Sequence, residues 1–150
     1  EAAREGKKAE GGNTDNRRQK TVKTERLTSI VFAASGIYDA LLGLVFLLWP
    51  GRMYLQFGVT PPNHWAYVRF PAIVLIIFGV MFFQVAFKPA ANRNLIPYGI
   101  LLKGAYAGTV FAYWFAKGLP NMWKPFAFAD TIFLVLFAWS WLKLAPPSKA

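Results

Sequence analysis

Four apolar runs, each about long enough to cross a bilayer as a helix, constrain this chain more than any other feature. They cover 28–49, 65–87, 95–115 and 126–144, with lengths of 22, 23, 21 and 19 residues and spacers of 15, 7 and 10. A helix rises 1.5 Å per residue, so about 20 residues cross the roughly 30 Å hydrocarbon core. Inside lipid the backbone must satisfy its own hydrogen bonds, which leaves helices or closed barrels. These runs are too long and too unbroken for barrel strands. The expectation is an all-α integral membrane four-helix bundle over 27–145, flanked by a polar basic N-terminal tail, 1–26, and a short C-terminal tail, 146–150.

Local punctuation agrees with these limits. Trp49-Pro50-Gly51 stops the first span, and Lys117-Gly118-Leu119-Pro120 stops the third. A glycine just past a helix end, followed by proline, is the usual stop signal. Asn63 and Asn92 are candidate caps, and Pro125 suits the first turn of the fourth helix. Pro71 predicts either a late start or a kink in the second. The tail reads EGKKAEGGNTDNRRQK and has almost nothing apolar to bury, so it is not expected to order itself alone. No apolar h-region follows the first charges at signal-peptide distance.

Charge then orients the bundle. The tail, the 88–94 loop and the C-terminal end from Lys143 onward carry twelve Lys and Arg, against four on the opposite side (Arg52, Arg69, Lys117 and Lys124). The positive-inside rule puts both termini on the cytoplasmic side of the membrane. The net charge of +10 also favours anionic lipid, and no nucleic-acid motif accompanies it. The absence of cysteine excludes thiolate metal sites, iron–sulfur clusters and disulfides. A single histidine excludes a bis-His haem within the chain.

Outside the tail there are only two acids, Asp39 and Asp130. Asp39 sits about halfway along the first span, where a charge costs roughly 2.5–3.5 kcal/mol on insertion scales and so needs a partner. Gly36, Ala40 and Gly43 share its side of the helix and make a small-residue face suited to close helix packing. In the third span Gly104, Gly108 and Ala112 form one small ridge, and Gly99, Lys103 and Ala107 a second. The third span is therefore the expected packing partner of the first. Lys103 and Asp39 lie at similar depths, about 12 and 16 Å from the inner end, which pairs them. Asp130 and Arg69, both near outer ends, form the expected second pair. With the two acids at different depths, they make a poor acid–base couple.

His64 in the outer loop is a candidate ligand for a haem or chlorophyll held by a neighbour, although a lone loop histidine is more often a helix-start or surface residue. No catalytic set, phosphate loop or dinucleotide fingerprint is present. The reading is of a non-catalytic accessory subunit of a larger membrane complex, electron-transfer or photosynthetic in type. It binds no cofactor by itself, contacts quinone, pigment or lipid, and docks through its small-residue faces, outer loop and tail.

The stretches SGIYDALLGLVFLLWPGRMYLQFG, FPAIVLIIFGVMFF and NRNLIPYGILLK, with the four-span spacing, resemble DoxX-like small bacterial inner-membrane proteins. The resemblance implies a four-helix bundle and, from relatives linked with quinone-dependent sulfur oxidation, an alternative function: binding a quinone or another small lipophilic ligand near Asp39 and Lys103. A small transporter is the second alternative.

Overall fold

The computed structural model describes residues 2–144, with side chains described from Asn16 onward apart from Arg17. The C-terminal tail, 146–150, lies outside the described residues. The chain is helical throughout: α1 (Ala2–Leu48), α2 (Pro50–Gln56), α3 (Ala66–Phe87), a single 3₁₀ turn (Arg93–Leu95), α4 (Ile96–Lys117) and α5 (Lys124–Lys143). Four helical segments are long and apolar enough to cross a membrane: Arg18–Leu48, Ala66–Phe87, Arg93–Lys117 and Lys124–Lys143.

α1 does not begin where the hydrophobic run begins. The segment expected to be unordered continues the helix back to Ala2. Nucleation is the costly step of helix formation and extension is not. A span already fixed by burial can propagate into a Lys-, Arg-, Glu- and Ala-rich sequence that contains no proline.

The other ends follow local chemistry. Pro50 starts α2 at a position where its missing N–H is not needed. Pro71 lies within the second turn of α3, which starts at Ala66, so the helix runs through it. Asn63 makes no cap. His64 does the work instead: its Nδ1 accepts the Ala66 N–H at 3.3 Å. Asn92 caps the preceding helix, its Nδ2 donating to the Gln84 carbonyl at 2.7 Å. Gly118 ends α4 with φ of +77°, the left-handed region that favours glycine.

The helices pack as two antiparallel pairs. α1 lies along α3, and α4 along α5; α1 also touches α5, while α3 and α4 barely meet. The α1–α3 pair is close because it is built on glycine. A Cβ on Gly36 would sit 3.1 Å from the Gly79 carbonyl oxygen, and one on Gly43 only 2.6 Å from that of Ala72. The face of Gly36, Ala40 and Gly43 therefore packs on the second span and not, as expected, on the third. Gly79, hidden in the bulky run VLIIFGVMFF, supplies the opening. The ridge Gly104–Gly108–Ala112 instead points largely outward: Gly108 and Ala112 are exposed, and nothing lies within 4 Å of a Cβ on Gly108. Its neighbours Gly99, Lys103 and Ala107 face inward.

Two apolar layers close the bundle. At the tail end, Phe32 stacks on Phe137 at 4.0 Å, with Phe82 edge-on to both. At the opposite end, Phe46, Tyr54 and Met122 pack with Trp65 and Trp123. Arg93 pins the tail end. Its Nε donates to the Leu144 carbonyl at 2.9 Å, its second nitrogen donates to the Trp141 carbonyl at 2.7 Å, and its guanidinium lies 3.6 Å from the Trp141 ring centroid. Arg93→Ala should lower stability by about 1.5–3 kcal/mol, the range for hydrogen bonds to a charged group. Arg93→Lys should recover little of it, since an ammonium cannot supply the fork and the stack together. Thermal unfolding of the three proteins in one detergent checks this, and full recovery by lysine would contradict it.

Candidate functional site

Between the two apolar layers lies a polar centre. Lys103 of α4 is completely buried, and its ammonium lies 2.6 Å from Asp39 Oδ1 of α1 and 2.9 Å from Asp130 Oδ1 of α5. One cation thus holds two carboxylates from two other helices. The rings of Tyr38, Phe133 and Phe82 surround the ammonium at 5.0, 5.5 and 5.8 Å. Negative ring faces suit a desolvated cation.

The structure brings Asp39 and Lys103 together, and it corrects the partner of Asp130. Arg69 is exposed at the rim beside His64 and makes no ion pair among the described residues. Counting depth by helix position missed the reach of lysine. The contacts Gly104–Leu134 and Phe111–Phe128 set the α4–α5 register, which places Asp130 roughly 8 Å further along the bundle than Lys103. The lysine stem and the aspartate side chain together cover that distance, so both acids share one centre. An Arg at the rim can keep its head in the polar interface at no such cost. His64, the candidate pigment ligand, uses Nδ1 on the Ala66 N–H and packs against Tyr67, which makes it a helix-start residue.

The sequence reading missed a cavity of about 270 Å³ beside this centre. It lies where the loosely joined helix pairs face each other. Its wall is Leu42 and Phe46 from α1, Phe70, Pro71, Val74 and Leu75 from α3, Leu102 and Tyr106 from α4, and Phe126 from α5. Tyr38, Asp39 and Asp130 complete it, and Lys103 is not part of the lining. Nearly every wall atom is apolar. Two of the lining residues carry a buried polar atom without a hydrogen-bond partner, Asp39 Oδ2 and the Tyr38 hydroxyl. A buried carboxylate oxygen left without a donor costs free energy that something else must return. The Tyr106 hydroxyl, by contrast, donates to the Trp123 carbonyl at 3.3 Å.

The arrangement can hold a small molecule with an apolar body and a polar group aimed at Asp39. Among the described residues no group of three or more His, Asp or Glu side chains is placed to hold a metal ion. No protein-family model, no curated protein and no solved structure matches the chain.

Proposed function

We propose that this chain is a membrane protein that binds a small lipophilic molecule inside its helix bundle, at the cavity beside the Asp39–Lys103–Asp130 centre. One observation carries the reading: an apolar cavity of about 270 Å³ whose lining includes Asp39, a buried acid with one carboxylate oxygen, Oδ2, unpartnered. Apolar pockets with a few convergent polar groups are the usual form of a small-molecule site, and ionisable residues within membrane spans are commonly functional. This is the ligand-binding alternative of the DoxX-like resemblance, and the cavity favours it over the accessory-subunit reading, which a dry, filled core would have favoured. The aromatic trio of Phe32, Phe82 and Phe137 closes the core on the tail side of the centre, which supports binding over conduction. The Lys and Arg distribution supports cytoplasmic termini, and the DoxX-like resemblance supports a bacterial inner membrane.

Native mass spectrometry after mild-detergent extraction tests the reading. The intact chain should carry a small molecule that Val74→Trp, which fills the cavity, removes. Extraction of the intact chain with no bound small molecule, other than lipid that Val74→Trp retains equally, would overturn it.

A second reading, docking into a larger complex, is favoured by the outward ridge of Gly108 and Ala112, both exposed among the described residues. Co-migration with a large complex on native gels, abolished by Gly108→Leu, is its expected signature.

A further inference from the structure

The charge at the centre does not balance. Two carboxylates share one ammonium, so with both acids ionised the group would carry one surplus negative charge in a buried, mostly apolar setting. Lys103 directs two donors at Asp39 Oδ1 and Asp130 Oδ1, which leaves the buried Asp39 Oδ2 unpartnered in a residue that, with Asp130, lines the cavity. Lys103 is not in that wall. A ligand in the cavity therefore meets carboxylate oxygens and ring faces, and no protein cation.

We propose that the cavity takes a monovalent organic cation with an apolar body, its charge against Asp39 Oδ2. This inference rests on the ligand-site reading above and names the ligand's class. Three features of the wall select it. The negative charge calls for a positive one, since an uncompensated buried charge is costly. Tyr38, Phe46, Phe70, Tyr106 and Phe126 line the space, and aromatic faces attract organic cations, quaternary ammonium above all. A small inorganic ion is disfavoured, because hard cations demand about six oxygen ligands that these apolar walls do not offer. A quinone is disfavoured too: its carbonyl oxygens are acceptors, and here they face another acceptor, with only the Tyr38 hydroxyl to serve them.

The test uses the full chain in lipid nanodiscs and two probes of one shape. Benzyltrimethylammonium carries the charge; neopentylbenzene is its neutral isostere. The cation should bind at least tenfold more tightly than the isostere. Asp39→Asn should abolish that preference while the isostere still binds, since it leaves Asp130 and Lys103 as a neutral pair. Val74→Trp should abolish the binding of both. Equal affinity for the two probes in the unmodified chain would overturn the cation inference and leave the ligand site standing, as would a preference that survives Asp39→Asn. Binding of neither probe would overturn the inference and count against the site itself. If Asp39→Asn does not fold, Asp130→Asn leaves the mirror-image neutral pair and is read in the same way. If neither variant folds, the comparison of probes on the unmodified chain decides.

Discussion

Lys103→Met should lower the stability of the folded bundle by about 3–5 kcal/mol, the range for removing one partner of a buried ion pair. The effect is large because one side chain serves two acids. Without the ammonium, Asp39 and Asp130 are left as two carboxylates with no cation, in a centre where Asp39 is completely buried and Asp130 is 4% exposed. Thermal unfolding in detergent and the amount of protein in the membrane both report this. The combined variant Asp39→Asn, Lys103→Met, Asp130→Asn separates charge from shape, because it removes all three charges and keeps the volumes similar. It should recover most of the lost stability. Recovery shows that the damage was stranded charge; if the triple variant melts no higher than Lys103→Met, the three residues do not act as one unit.

Gly43→Leu should pry α1 from α3. A Cβ alone would come within 2.6 Å of the Ala72 carbonyl oxygen and 2.8 Å of Ile76 Cγ1. The first of these is backbone and cannot rotate away. Overpacking costs about 1–3 kcal/mol in ordinary cores and occasionally more, and this site is at the upper end because the clash involves two helix backbones. Gly108→Leu is the matched control, since nothing lies within 4 Å of a Cβ there. Melting of the isolated protein should fall sharply for the first variant and stay near the unmodified value for the second. Equal losses would show that the α1–α3 contact does not depend on the glycine.

Hydropathy made the spans legible. Each expected run coincides with a helix to within a few residues, apart from the extension of α1, because a long unbroken apolar segment that satisfies its own backbone hydrogen bonds has few options besides a helix. The proximity of Asp39 and Lys103 was legible for a related reason: depth is nearly one-dimensional in a bundle of spans. Asp130 was not legible, because its partner depends on the length of a lysine stem as well as on residue count. The partner of the Gly36–Gly43 face was missed because Gly79 is a single small residue among bulky ones, whereas the third span advertises two glycine ridges, of which Gly99–Lys103–Ala107 faces in and Gly108 faces out. The cavity had no signal at all. It is a property of how two helix pairs fail to fill the space between them, and no single segment encodes that.

The two contacts of Lys103 differ in what they join. Asp130 belongs to α5, the companion of α4, so that bond stays within one leaf of the molecule. Asp39 belongs to α1, in the other leaf, so the 2.6 Å bond is a latch between the two. The leaves also meet along the α1–α5 spine and, at the tail end, through Phe82 of α3 on Phe137 of α5. Parting the leaves along the cavity would draw Asp39 off the ammonium and leave Asp130 in place. An occupant that competed for the Asp39 carboxylate would therefore loosen that latch, and its departure would let the latch close again.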